Sequence, residues 1–223
     1  MTRSRAETVL NELRSMESAR NRRGMARYGI NTARALGVSI AQLRPIARRL
    51  GGDHRLAEEL WGSGIHEARI LASMLANPLA VSPRDMDRWV RELDSWDLCD
   101  QVCANLFERT PHAHRKALLW SRRKQEFVKR AGFSLMARIA VSQKGMPDSA
   151  FAPMLLAIRR EAGDERNYVK KAVNWALRQI GKRNPALRRK ALAEAARLRR
   201  RRSAAARWIG ADAERELLGR SIT

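Results

Sequence analysis

Apolar residues recur at helical spacing along most of the chain, whereas the alternation typical of strands is almost absent. Two segments illustrate the pattern: Ile70, Leu71, Met74 and Leu75, and Val169, Ala172, Val173, Ala176 and Leu177. This spacing places the apolar side chains on one face of a helix, and that face has to be buried against other helices. The pattern predicts an all-α fold.

Capping residues indicate where these helices begin and end. Ser39 and Gln42 have the spacing of a capping box, and Gly181 is expected to end a helix. Proline after a capping residue predicts three further helix starts, at Ser82-Pro83, Thr110-Pro111 and Asn184-Pro185. Pro45 falls inside a predicted helix, so we expect a kink there or a displaced start.

Three segments share a pattern in which an aromatic or acidic residue precedes an apolar residue and then a cation. They are Leu60-Trp61 leading to residues 66–71, Leu119-Trp120 leading to residues 127–131, and residues 166–172. The pattern favours HEAT-like helix pairs over about residues 20–200, stacked into a superhelix with a concave basic groove. Because the spacing between the segments is irregular, an irregular helical bundle is the alternative.

The chain of 223 residues has the length of one ordinary domain, so we predict a single helical repeat domain over residues 1–223. Its last part, residues 185–223, is expected to form a basic helix followed by a tail. Leu187, Ala191, Ala195 and Leu198 form a thin apolar stripe there, and the basic residues would face phosphates. A solvated charge run is the alternative for the final residues.

Charge is the most unusual property of the composition. There are 45 Lys and Arg residues against 23 Asp and Glu, a net charge of +22. Such an excess favours a nucleic acid as the partner, although it could also serve solubility or binding to anionic lipid. The sequence shows neither an apolar run of about 18 residues nor a signal peptide. We therefore expect no membrane association and a cytoplasmic location, associated with the nucleoid when on DNA.

The two cysteines, Cys99 and Cys103, are spaced one helical turn apart. A disulfide within one helix is geometrically awkward, and two cysteines without a second pair do not form a zinc site. We interpret them as buried free thiols in a reducing compartment and expect no metal.

The segment around Trp96 and Asp100 is a candidate for chemistry. Ser95 can cap a helix in which Trp96 is the first residue and Asp100 lies one turn further on the same face. In a structural interpretation Asp97 favours the positive helix start, Trp96 is core and Asp100 pairs with an arginine. In a functional interpretation the carboxylate faces a cationic DNA groove and acts on the substrate.

A second candidate face contains Lys171, Trp175 and Arg178, which are spaced to lie on one side of a helix. The indole could contact a nucleotide. Alternatively, it could be a core tryptophan flanked by cations that extend to solvent.

Together these residues resemble the motifs of the AlkD-like DNA alkylation repair family, the HEAT-like-repeat alkylpurine DNA glycosylases. The motifs that carry the resemblance are Trp96-Asp97-x-x-Asp100, a cation near residues 127–130, and Lys171-Ala172-x-x-Trp175-x-Leu177-Arg178, with Leu60-Trp61 and His66-Glu67-x-Arg69 as further similarity. The resemblance covers roughly residues 25–198.

The resemblance implies a monofunctional DNA glycosylase in base excision repair that removes cationic N3- or N7-alkylated purines from duplex DNA without a cofactor. It places the catalytic carboxylate on Asp100, the two tryptophans of the site on Trp96 and Trp175, and the active-site cation on Arg130, with Lys129 as the neighbouring alternative. We expect a monomer that contacts alkylated duplex DNA through Lys129, Lys171, Arg178, Lys182, Arg183, Arg188 and Arg189. The alternatives are a non-catalytic HEAT-like protein that binds distorted or branched DNA, and a scaffold for acidic proteins.

Overall fold

The structure, a computed structural model, describes residues 4–219, and within them every regular element is helical. The all-α prediction is confirmed. The chain divides between Thr110 and Pro111 into two compact units, unit 1 before this point and unit 2 after it.

Unit 1 contains seven α-helices and a short 3₁₀ helix within its described residues. They are α1 (Arg5–Ser15), α2 (Ala19–Arg27), α3 (Ile40–Leu50), α4 (His54–Gly62), α5 (His66–Leu75), α6 (Pro83–Arg91), α7 (Trp96–Asn105) and the 3₁₀ helix Phe107–Arg109. Helix α5 is at the centre of this unit, since it packs against α1, α3, α4 and α7.

A tryptophan pair joins α4 and α6 in the core of unit 1. The rings of Trp61 and Trp89 are stacked, with centroids 3.9 Å apart and an angle of 11° between the planes. The Trp61 indole and the Arg69 guanidinium both donate to one carboxylate oxygen of Glu92, at 2.9 and 2.7 Å. The Leu60-Trp61 and Arg69 pattern is therefore part of the packing between helix pairs.

Unit 2 contains six α-helices and a 3₁₀ helix within its described residues. They are α8 (Ala113–Trp120), α9 (Glu126–Ser142), the 3₁₀ helix Asp148–Phe151, α10 (Ala152–Glu161), α11 (Asn167–Gly181), α12 (Pro185–Arg199) and α13 (Ala204–Leu218). Helix α9 has 12 buried residues among its 17 and packs on both α8 and α11.

Two glycines allow the helices of unit 2 to approach closely. A Cβ at Gly132 would lie 2.5 Å from the backbone nitrogen of Ser121 on the neighbouring α8 segment. A Cβ at Gly181 would lie 2.7 Å from the side chain of Leu217 on α13. Neither position tolerates a side chain without movement of its neighbours.

Three predicted helix starts are confirmed, and one is wrong. Ser39, Ser82 and Asn184 each cap a helix through the side-chain oxygen, and proline follows the last two. The predicted start at Thr110 is wrong, because His112 precedes the first residue of α8. The Thr110 hydroxyl instead donates to the carbonyl of Phe107 at 2.9 Å, which ends the 3₁₀ helix.

Two other predictions concern Pro45 and the C-terminal segment. Helix α3 begins at Ile40 and continues past Pro45, which is exposed. The segment that was expected to be a tail forms α13, which is capped by the Ser203 hydroxyl and buries Ala205, Ala206, Ile209, Ala213 and Leu217. Residues 220–223 of the predicted tail lie outside the described residues.

The three related segments start helices in the same way. Helices α5, α9 and α11 begin after Ile65, Gln125 and Arg166, whose φ/ψ angles are −71/129°, −62/130° and −61/126°. None of the three uses a side-chain cap. Arg69, Lys129 and Lys170 therefore occupy the same fourth position of their helices, which supports the predicted repeat.

Candidate functional site

The first part of the candidate site is the start of α7. As the sequence predicted, Ser95 precedes the helix, Trp96 is its first residue, and Asp100 follows one turn later. Both predicted site side chains are half-buried. The Trp96 indole N–H donates to the backbone carbonyl of Tyr28 at 3.0 Å, which fixes the plane of the ring.

Asp97 is anchored beside them. One of its carboxylate oxygens accepts a hydrogen bond from the Ser95 hydroxyl at 2.8 Å, and the other lies 2.9 Å from Nε2 of His66 on α5. His66 is only 4% exposed. Asp97 therefore has the structural role at the start of α7 that was one of its two interpretations. Its hydrogen bond to His66 also connects α7 to α5.

Burial and pairing act in opposite directions on the His66 and Asp97 side chains. Burial alone would lower the pKa of His66 and raise the pKa of Asp97, because it disfavours both charged forms. The hydrogen bond and the attraction between the two charges outweigh burial, so the pKa of His66 lies above its ordinary value and that of Asp97 lies below it. The two shifts favour an imidazolium–carboxylate pair.

The second part of the candidate site lies on α9 and α11, which pack against each other in unit 2. Trp175 is half-buried, and Lys171 on the same helix face is exposed. Arg130 is 6% exposed, and its guanidinium donates to the carbonyl of Tyr168 at 2.7 Å, near the start of α11. Arg130 is thus positioned by the helix that carries Trp175.

Lys129 has a different role from its neighbour. Its ammonium lies 2.6 Å from a carboxylate oxygen of Glu161 and 3.1 Å from one of Asp164, and all three side chains are largely buried. Burial would raise the pKa of Asp164, but hydrogen bonds from Arg166 and Lys129 lower it to about 2. Lys129 is the counterpart of Arg69, which forms an ion pair in the same way with Glu92. Its ammonium is thus already paired within the fold, and a contact of Lys129 with DNA stays a prediction.

Arg178 and Lys182, predicted to contact DNA, form ion pairs with α13. Both side chains contact the carboxylate of Glu216, and Arg178 also lies 3.6 Å from Asp212. Burial raises the pKa of Glu216, but the two cations more than offset this and hold it below its ordinary value. These cations stabilise the α11–α13 interface.

Arg183 and Arg188 bind backbone carbonyls. Arg183 donates to the carbonyl of Ala140 at 3.1 Å and to three carbonyls of the loop after α9, those of Gln143, Lys144 and Met146. Arg188 donates to the carbonyl of Leu217 near the end of α13. Arg188, and Arg183 through Ala140, thus satisfy carbonyls in the last turn of a helix, which have no partner within the helix. Their contact with DNA stays a prediction, as does that of Arg189 and Lys171, which are exposed to solvent.

The two cysteines of α7 and the apolar character of the helices can also be described. Cys99 and Cys103 are buried free thiols, as expected. Among residues 4–219, no helix is long and apolar enough to cross a membrane. The sequence does not predict the His66–Asp97 pair, because the two residues are 31 positions apart and no local motif links them.

Comparison with known proteins places the chain in a family. The family model described as DNA alkylation repair enzyme matches residues 9–217. No curated protein matches the sequence. A similar solved structure comes from a new family of proteins related to the HEAT-like repeat DNA glycosylases with affinity for branched DNA structures. It shares 24% sequence identity with this chain at a TM-score of 0.78, and the match covers 96% of this chain and 95% of that one. The predicted HEAT-like repeat fold is confirmed.

Proposed function

The chain belongs to the DNA alkylation repair enzyme family, and on that premise we propose that it is a DNA glycosylase. Its substrate is an N3- or N7-alkylated purine in duplex DNA. The observation that carries the proposal is the start of α7, where Trp96 and Asp100 lie one turn apart and neither is fully buried. A carboxylate in this position is unusual in a protein with a net charge of +22, since it opposes the approach of phosphates.

The reaction breaks the bond between C1′ of the deoxyribose and the purine nitrogen. An alkylated purine carries a positive charge and leaves with the bonding electron pair as a neutral base, so it does not need to be protonated. Positive charge develops on the sugar, and a water molecule adds to C1′ and loses a proton. Asp100 stabilises this charge and orients the water, as carboxylates do in the hydrolysis of glycosides.

The other predicted residues assist Asp100. The electron-rich faces of Trp96 and Trp175 attract the cationic sugar. Arg130 holds a phosphate beside the lesion, while its neighbour Lys129 stays in the ion pair with Glu161 and Asp164. In this proposal the protein acts as a monomer.

Release of the methylated base tests the proposal. We expect methylated duplex DNA to lose 7-methylguanine or 3-methyladenine in the presence of the wild-type protein, and Asp100→Asn to slow the release by about 100-fold or more. Asp94→Asn is the matched control, because it removes the same charge from an exposed side chain just before α7. Equal release by Asp100→Asn and the wild type would refute the assignment of Asp100.

The second candidate is a non-catalytic protein that binds branched or distorted DNA. It is favoured by the similar solved structure, which comes from a family of proteins with affinity for branched DNA structures. This candidate predicts no base release from any alkylated duplex and tighter binding of a four-way junction than of a linear duplex. It also predicts that Asp100→Ala tightens binding, because the substitution removes a negative charge near the phosphates.

A further inference from the structure

Unit 1 contains a cavity that the proposed reaction does not use. The cavity has a volume of about 780 Å³ and lies beside α2, which contributes six of its lining residues and is followed by a seventh, Tyr28. Its size falls within the range of pockets that bind small molecules, about 300–1,000 Å³. Helix α2 has no buried residue of its own.

Both ends of α2 are nevertheless held in place. Before the helix, the Ser18 backbone N–H donates to the carbonyl of Leu36 at 2.8 Å. After the helix, the carbonyl of Tyr28 accepts the indole N–H of Trp96 at 3.0 Å. The second contact joins α2 to the residue that starts α7, the helix that carries Asp100.

The loop that faces α2 is held by a buried carboxylate. Glu67 is 1% exposed and accepts hydrogen bonds from the backbone N–H groups of Leu36 and Gly37, at 2.8 and 2.6 Å. The Asn21 side chain of α2 donates to the carbonyl of Gly37 at 2.9 Å. The cavity is thus formed by fixed walls on both sides, as in a preformed binding site.

One wall of the cavity is strongly cationic. Arg20, Arg23 and Arg27 all line it, at the i, i+3 and i+7 positions that share a helix face. All three are exposed, and within residues 4–219 no carboxylate or other hydrogen-bond partner holds them. Three guanidinium groups on one face favour an anionic ligand, and arginine binds phosphate, as it binds carboxylate, through two parallel hydrogen bonds.

Apolar side chains and a hydrogen-bonded pair also line the cavity. Ile30, Val38 and Ile70 line it, and His66 and Asp97 contribute the imidazole and the carboxylate of their hydrogen-bonded pair. Apolar walls suit the faces of a nucleobase, and a carboxylate accepts hydrogen bonds from the amino and imino groups at a base edge. Phosphate-binding cations and a base-sized apolar space with an acceptor therefore occur in one cavity.

We propose that this cavity binds a single unpaired nucleotide, with its phosphate on Arg20, Arg23 and Arg27 and its base against the apolar wall near Asp97. The nucleotide is either one that is extruded from the DNA strand beside the candidate site or a free mononucleotide. The first source rests on the proposed function, because it requires DNA to be the ligand of the protein.

Gly24 offers a way to block the cavity without damage to the core. It lines the cavity from α2, and a Cβ built on it has no atom within 4 Å. Since glycine is the poorest helix former after proline, any larger residue there also favours the helix. Gly24→Phe places a ring in the cavity, and Gly24→Ala is the control that also favours the helix over glycine but does not fill the space.

The proposal is tested by measuring the binding of two probes, neither of which is methylated. The first is dGMP, and the second is a duplex with one unpaired guanosine, compared with the fully paired duplex. We expect the wild type and Gly24→Ala to bind dGMP or to prefer the bulged duplex by about tenfold, as expected from the stacking of one base. Gly24→Phe should abolish whichever of these is observed.

The two sources give different results. Loss of the bulge preference in Gly24→Phe indicates a nucleotide within a strand, and loss of dGMP binding with no bulge preference in any variant indicates a free nucleotide. Arg23→Gln should weaken the same binding about tenfold, whereas Arg22→Gln, which removes an arginine that pairs with Glu17 outside the cavity, should not. Binding of both probes that is unchanged in Gly24→Phe would overturn the proposal, as would a wild type that neither binds dGMP nor prefers the bulge.

This outcome is independent of the glycosylase test, because neither probe carries an alkylated base. A protein that releases no base can still show the Gly24-dependent binding. Conversely, base release that requires Asp100 can occur when Gly24→Phe has no effect on either probe.

Discussion

The contrast between Lys129 and Lys171 tests whether the cations of unit 2 have structural or DNA-binding roles. Both were predicted to contact DNA, but Lys129 lies between Glu161 and Asp164, whereas Lys171 is exposed on α11. We expect Lys129→Met to reduce stability and Lys171→Met to reduce DNA binding. Methionine keeps most of the lysine stem and removes only the charge.

The expected loss for Lys129→Met follows from the burial of the cluster. The three side chains are 11%, 16% and 11% exposed. Removal of one partner from a fully buried ion pair costs about 3–5 kcal/mol, and an exposed pair contributes about 0–1 kcal/mol. Here Arg160 and Arg166 still contact the two carboxylates, so we expect a loss of about 2–3 kcal/mol, or roughly 5–10 °C in Tm.

Urea unfolding and the salt dependence of DNA binding separate the two roles. Each phosphate contact that is lost should reduce the slope of log K against log salt by about 0.9. We expect this reduction for Lys171→Met with an unchanged free energy of unfolding, and the opposite for Lys129→Met. A Lys129→Met protein of wild-type stability with a reduced salt slope would refute the structural role of the ion pair.

Three further predictions concern stability, each measured by chemical or thermal unfolding. Gly132→Ala should destabilise the protein by about 1–3 kcal/mol, because its Cβ would lie 2.5 Å from the backbone nitrogen of Ser121. Gly24→Ala, the control, should not destabilise the protein. Equal stability of the two variants would contradict the close approach of α8 and α9. Glu194→Gln should cost about 1.5–3 kcal/mol, since this carboxylate, 3% exposed, accepts hydrogen bonds from Arg159 at 2.7 and 2.6 Å; an unchanged midpoint would show that this pair contributes nothing. The pKa of Asp164 is about 2 in the folded protein, against an ordinary 3.8. The contribution of its carboxylate to the free energy of unfolding is therefore complete above pH 4 and is lost as the pH falls towards 2. It amounts to about 1–2 kcal/mol after allowance for solvent screening, and an acid unfolding curve that Asp164→Asn leaves unaltered would contradict this.

Several helix starts could be predicted from sequence because their signals are local. Ser39, Ser82 and Asn184 cap helices through contacts with residues only three positions ahead, and such contacts depend little on the rest of the fold. Helix α13 was missed because its buried face consists largely of alanine with Gly210, which gives a weak apolar pattern. The packing of α13 relies on close backbone approach, since a Cβ at Gly210 would lie 2.5 Å from the carbonyl of Ala195.

In the candidate site, too, local contacts could be predicted and long-range contacts could not. The position of Asp100 one turn after Trp96 follows from helix geometry and could be predicted from the two residues alone. The pairing of the cations could not, because the carboxylates that bind Lys129 and Arg178 lie 32 to 38 residues further along the chain. A basic residue in the sequence looks equally available for DNA whether or not the fold brings an acid to it.

By itself the sequence determined that this protein is helical, strongly basic and similar to enzymes of DNA alkylation repair, because periodicity, charge and motif spacing are properties of neighbouring residues. Only the tertiary structure decided which cations stay exposed, and it alone revealed the cavity beside α2 with its pair of His66 and Asp97. Those features depend on how separate helices pack, and packing brings together side chains whose separation along the chain carries no local signal.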